Sequence, residues 1–148
     1  MKRNKTLLEK AIELAVESHS GQKDKGGSPY ILHPLRLMMK MDNVSEMIVA
    51  VLHDVVEDTV LTLDHLKEKG FSERELSAID HLTRRKRESY TKFIKRVKED
   101  PIAVRVKLVD IEDNLDIKRL NMLTKKAIKR LKKYRKSRKH LISSQGHK

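Results

Sequence analysis

Apolar residues recur three and four positions apart along nearly the whole chain, and no stretch alternates apolar and polar residues as a half-buried strand would. That periodicity limits the fold more than any other feature. It predicts a first helix over about residues 5–20, with Leu7, Leu8, Ala11, Ile12, Ala15 and Val16 at helical spacing. A loop follows in "GQKDKGGSP" (21–29). His33-Pro34 opens a second helix, since Pro suits a first helical turn, and Asp42-Asn43 breaks it. A third helix is predicted to run unbroken from about Val44 through "SEMIVAVLHDVVED". A short helix from Thr62 or Leu63 to Lys69 ends at Gly70. Ser72 and Glu75 form a capping box for a helix over 73–83. Another helix spans Ser89 to about Glu99, and Asp100-Pro101 opens the long helix "PIAVRVKLVDIEDNLDI". The fold class expected is all-α, an irregular multi-helix bundle.

The chain has 148 residues, enough for one domain with a core that needs no staples. It has no cysteine, which excludes disulfide scaffolds and thiolate chemistry. No apolar run approaches the roughly 20 residues of a membrane span, and the N-terminus lacks a signal-peptide pattern, so a cytoplasmic location is expected.

The formal charge is +13, and it is unevenly placed. From Lys118 onward there are thirteen Lys and Arg and no Asp or Glu, so residues 1–117 carry 21 charges of each sign. The basic segment keeps a helical stripe of Leu120, Leu123, Ala127, Leu131 and Tyr134, and the last residues, "SSQGHK", are expected to be disordered. Dense Lys and Arg suit nucleic acid, a ribosome or another anionic surface, but a solvated helix face is the commoner reason for such a segment. The division expected is a body of residues 1–120 and a basic helix and tail of residues 121–148.

The third helix poses the chemical question. "VAVLHDVVEDTV" (49–60) begins as a buried apolar run and ends in His53, Asp54, Glu57 and Asp58. On a continuous helix His53 stacks with Glu57, and Asp54 with Asp58. Carboxylates at a helix C-terminus are unfavourable, and buried unpaired ones are far worse. A bound cation relieves both costs. A matching polar stripe, Lys107, Asp110 and Asn114 with Asp113 offset beside it, interrupts the apolar faces of the last long helix. His33, at the mouth of the Gly-rich loop, is the third contributor. Taken singly, each group also suits a helix cap or a solvated end. Two His and two Asp form a mixed nitrogen and oxygen set, which suits Mn²⁺, Fe²⁺ or Zn²⁺ better than Mg²⁺. Glu57 and Asp58, about one turn further on, leave room for water and a phosphate oxygen.

Three segments, "HSGQKDKGGSPYILHP" (19–34), "VLHDVVEDT" (51–59) and "VKLVDIEDNL" (106–115), carry a resemblance. The chain resembles the HD-domain metal-dependent phosphohydrolases, and among them the hydrolase domain of the RelA/SpoT type and its small stand-alone relatives. The resemblance covers roughly residues 5 to 120. It implies a single Mn²⁺ held by His33, His53, Asp54 and Asp110, with Glu57 and Asp58 handling the attacking water. It implies a nucleotide substrate, guanosine tetra- or pentaphosphate, from which the 3′-pyrophosphate is hydrolysed. Lys25 matches the family's basic loop residue that meets the nucleotide, and Asn114 the asparagine that helps to bind it. The chain departs from the family where Arg, Lys and Ser are usual, having Asp24, Lys25 and Gly26, and after Asp110, where Ile111, Glu112 and Asp113 make a more acidic rim. The alternatives are an HD phosphohydrolase of another nucleotide or phosphate ester, and a nucleic-acid-binding protein that uses the basic C-terminal helix.

Overall fold

The computed structural model describes residues 3–116 and 125–145. Helix α1 (Leu7–Ser18) starts at a capping box in which the Thr6 hydroxyl accepts the Glu9 N–H, while the Glu9 carboxylate accepts the Thr6 N–H. Its apolar face buries Ala11, Leu14 and Ala15. The loop to α2 (Leu32–Met39) turns through Gly21 and Gly27, both at positive φ (79° and 87°), where a residue with a Cβ would be strained. Helix α3 (Val44–Leu52) is the centre of the molecule. Asn43 caps it, and Val49, Ala50, Val51 and Leu52 have no exposed surface. It packs against α1, α2 and the later helices α6 (Glu73–His81) and α8 (Pro101–Asn114). A segment buried on every side has no polar face, which is why its sequence reads as a continuous apolar run.

The third helix is not continuous. Helix α3 stops at Leu52, His53 and Asp54 form a turn, and the chain resumes as the single turn α4 (Val55–Asp58). The cause is local. In a continuing helix the Asp54 N–H would bond to the Ala50 carbonyl. Here the His53 ring takes that carbonyl through Nδ1 at 2.7 Å, with the His53 N–H at 3.5 Å.

The remaining elements follow their local signals closely. Helix α5 (Leu63–Glu68) is capped by Thr62 with His65 and followed by Gly70 at φ 99°. The Ser72–Glu75 capping box opens α6, Ser89 caps α7 (Tyr90–Val97), and Asp100 with Pro101 opens α8. Helix α9 (Lys125–Gln145) lies against α8, with Ala127 and Leu141 buried. It takes in residues 143–145, expected to be disordered; Leu120 and Leu123 of the expected stripe lie outside the described residues. Among the described residues there is no strand beyond an isolated bridge between Lys23 and Pro29, and no helix long and apolar enough to cross a membrane. The architecture is the all-α irregular bundle expected.

The turn between α6 and α7 is held by Arg96. Its Nε and Nη2 donate to both oxygens of Glu88, each at 2.9 Å, and its amino groups also meet the carbonyls of Asp80 and Thr83. The Arg96 guanidinium holds the Glu88 carboxyl down to about 2. A depressed folded pKa contributes stability above the ordinary glutamate value of about 4, and the contribution is lost as pH falls toward 2. Glu88→Gln should therefore flatten the acid limb of unfolding in that window. An unchanged limb in denaturant melts at pH 2 to 5 would refute the assignment.

Candidate metal centre and its pocket

The α3–α4 turn fixes the orientation of the His53 ring. A carbonyl oxygen only accepts, so His53 Nδ1 carries the proton and Nε2 carries the lone pair. That Nε2 is buried and makes no hydrogen bond, though Asp54 Oδ2 lies at 3.0 Å and Asp110 Oδ1 at 3.5 Å. Such an orphaned lone pair among carboxylates is unfavourable without a cation. His33, in the first turn of α2, reaches the same point. Its Nε2 is 2.8 Å from Asp110 Oδ1 and its Nδ1 is 2.6 Å from Asp113 Oδ2. One ligand atom each from His33, His53 and Asp54 lies within 4.8 Å of the others, and Asp110 touches both imidazoles. The residues fit a divalent ion: two imidazole nitrogens and hard carboxylate oxygens, with one nitrogen unpartnered.

Further side chains orient these groups. The Tyr30 hydroxyl donates to Asp54 Oδ2, and its ring packs against His19 and His33 at 4.8 and 5.6 Å. Lys107 donates to Asp110 Oδ2 at 2.8 Å, and Asn114 Nδ2 meets Asp110 Oδ1 at 3.2 Å. The stripe of Lys107, Asp110 and Asn114 therefore converges on one carboxylate. Burial alone would raise the Asp110 pKa, but the Lys107 charge and the two imidazoles hold it well below the carboxylate range. Burial alone would lower the His33 pKa, yet its contacts with Asp110 and Asp113 leave it raised. In the metal-free protein, a proton shared between His33 and these carboxylates does part of the neutralising.

Glu57 and Asp58 diverge from α4. Glu57 Oε1 accepts the Arg84 N–H at 3.0 Å, and Asp58 lies toward the Gln22 side chain, itself 2.9 Å from His19 Nδ1. Desolvation, then the Asp54 charge, raises the pKa of both, which suits groups that accept a proton.

A cavity of about 410 Å³ adjoins His33. One wall is the loop of Lys23, Asp24, Lys25 and Gly26, and another is Arg36 on α2. Asp113, Asn114 and Asp116 form its floor, and Arg130, Leu131 and Tyr134 of α9 close the far side. Lys25 is exposed there, and Asn114, its amide nitrogen tied to Asp110, leaves its carbonyl oxygen for the cavity.

No family model matches the chain. It is 36% identical over 120 residues to a guanosine-3′,5′-bis(diphosphate) 3′-pyrophosphohydrolase of Aquifex aeolicus, covering 73% of this chain and 17% of that one. It is 35% identical over 117 residues to the protein of the same name from Haemophilus influenzae, covering 69% and 17%. It is 32% identical to a probable GTP pyrophosphokinase of Mycobacterium leprae, covering 95% and 18%. A solved structure described as a metazoan ortholog of SpoT that hydrolyses ppGpp superposes with a TM-score of 0.75 at 20% identity, over 95% of this chain and 88% of that one. The chain belongs to the HD-type hydrolase domains of the RelA/SpoT family. This HD domain spans under a fifth of the length of the curated relatives it matches.

Two departures of this HD domain from the family pattern look different in three dimensions. Asp24 does not stand as a bare acid against substrate: its Oδ1 accepts the Gly26 and Ser28 N–H groups, both at 2.9 Å, and shapes the loop. Asp113 is not on an acidic rim. It is buried, 3% exposed, and bidentate to Arg36. Nor does His33 serve as a helix cap, since both ring nitrogens point to α8. Tyr30, Arg36, Arg130 and Tyr134 were not singled out from the sequence as site residues. Arg130 and Tyr134 lie four apart on one helical face, a signal that the excess of charge around them obscures.

Proposed function

We propose that this HD domain is a metal-dependent guanosine 3′,5′-bis(diphosphate) 3′-pyrophosphohydrolase of the cytoplasm. The observation that carries it is the unpartnered His53 Nε2 beside His33, Asp54 and Asp110, at the edge of a cavity with Lys25, Arg36 and Arg130 on its walls. His33, His53, Asp54 and Asp110 are the proposed ligands, and the mixed donor set supports Mn²⁺. Bound there, the ion supplies Lewis-acid activation of the phosphoryl group and of water. Lys25 and Asn114 bind the nucleotide, Lys25 as a cation for phosphate and Asn114 through its carbonyl oxygen. Glu57 and Asp58, with raised pKa values, orient the attacking water and take its proton. One water is consumed. The water oxygen bonds to the phosphorus attached to the 3′ oxygen, the bond between that phosphorus and the 3′ oxygen breaks, the 3′ oxygen gains a proton, and guanosine diphosphate and pyrophosphate leave.

Purified protein with Mn²⁺ should release pyrophosphate from the alarmone. No release, alongside turnover of a nucleotide without a 3′-pyrophosphate, would favour a phosphohydrolase of another ester instead, a reading supported by Asp116 in the cavity and by a loop that has Gly26 where the family has Ser. For the exposed lysines of α9 a polyanion such as RNA is the partner we propose, within a division of the chain into residues 1–120 and 121–148.

A further inference from the structure

We infer that Asp113 and Arg36 are positioning residues that tie the cavity to the metal centre: Asp113 sets the His33 ring so that Nε2 faces the other ligands, and Arg36 fixes Asp113 while offering its outer edge to a substrate phosphate. The inference deepens the metal-dependent reading above and rests on it.

Asp113 uses both carboxylate oxygens. Oδ1 takes Arg36 Nε at 2.8 Å, and Oδ2 takes Arg36 Nη2 at 3.0 Å and His33 Nδ1 at 2.6 Å. A carboxylate 3% exposed is costly unless so compensated, and a bidentate guanidinium fixes its plane as well as its charge. The ionised carboxylate can only accept, so His33 Nδ1 must donate and Nε2 is left as the ligand atom. His53 reaches the same tautomer through the neutral Ala50 carbonyl. The two imidazoles are therefore held differently, and the charged acceptor makes His33 the more basic ligand.

Arg36 is not sealed in with its partner. Its side chain is 31% exposed and lines the cavity, where it lies in the field of Asp24 and Asp116. Nε and Nη2 are engaged by Asp113, while Nη1 meets no protein acceptor among the described residues. With Asp24 occupied by the loop amides, Arg36 brings a guanidinium to a cavity whose loop lacks one. The anion class it suits is a phosphate of a nucleotide.

A plain ion pair joining α2 to α8 would affect stability alone, so the test reads metal and nucleotide affinity. By calorimetry, Asp113→Asn should weaken Mn²⁺ binding about 10- to 100-fold, and Arg36→Met should also weaken it. The double variant should be no weaker than Asp113→Asn, because both act through His33. With guanosine 5′-diphosphate as probe and no metal present, Arg36→Met should lose roughly tenfold in affinity, and Asp113→Asn should lose none. Mn²⁺ affinity within twofold of wild type in Asp113→Asn overturns the positioning role, and unchanged diphosphate affinity in Arg36→Met overturns the phosphate contact. Should either variant fail to fold, ¹⁵N spectra of the wild-type protein loaded with Zn²⁺ decide: His33 ligated through Nε2 supports the inference, and ligation through Nδ1 ends it. None of these readouts needs turnover, so a protein that passes them and leaves the alarmone intact loses the proposed substrate and keeps this inference.

Discussion

Replacing His53 with alanine is expected to abolish tight metal binding and to lower hydrolysis by roughly a thousandfold or more, equivalent to about 4 kcal/mol of transition-state stabilisation. The effect is large because the residue has two tasks. Its Nε2 is the unpartnered donor at the centre of the cluster, and its Nδ1 holds the Ala50 carbonyl and so makes the turn that presents Asp54. Alanine removes one ligand and frees the backbone that aims another. His53→Asn separates the two tasks. The asparagine amide nitrogen can stand where Nδ1 stood and keep the turn, but nothing replaces Nε2. That variant should melt near the wild type in the absence of metal, yet carry no tightly held metal on elemental analysis and show no turnover. Stoichiometric metal with activity within tenfold of wild type would remove His53 from the ligand set.

The same residue marks where the sequence stops being legible. Element starts were readable because caps are local: Ser72 with Glu75, and Asp100 with Pro101, announce α6 and α8 within four residues. The break at His53 was not, because apolar periodicity runs straight through it and the deciding bond is from a side chain to its own backbone three residues earlier. Asp113 misled for another reason. Along α8 it is offset from the stripe of Asp110, so it reads as a rim acid; its burial is decided by Arg36 and His33, which are 77 and 80 residues away. Asp24 was readable in principle, since an Asp followed by Gly and Ser at short spacing suits a turn that binds its own amides. The stripe of Lys107, Asp110 and Asn114 came through intact, because three and four residue spacings on a straight helix do converge.

That stripe supports the second large effect. Lys107→Met should destabilise the metal-free protein by about 3 kcal/mol and the Mn²⁺-saturated protein by much less. Lys107 is largely buried, and its ammonium lies 2.8 Å from Asp110 Oδ2. Removing one partner of a buried pair leaves the other charge uncompensated, and that, more than the lost attraction, is the cost. Methionine keeps the stem, so the packing beside Phe93, whose ring centroid is 5.2 Å from the ammonium, is largely retained and the charge is isolated as the variable. A divalent ion beside Asp110 supplies the compensation that the variant lacks. Lys107 in turn repels that ion in the wild type. Metal should therefore bind the variant more tightly, and by linkage the added affinity must reappear as added stability when metal is present. Denaturant unfolding of both proteins with and without Mn²⁺ closes this cycle. Equal destabilisation in the two conditions would mean that the ion does not sit against Asp110, and would move the metal to the His53–Asp54 side of the cluster.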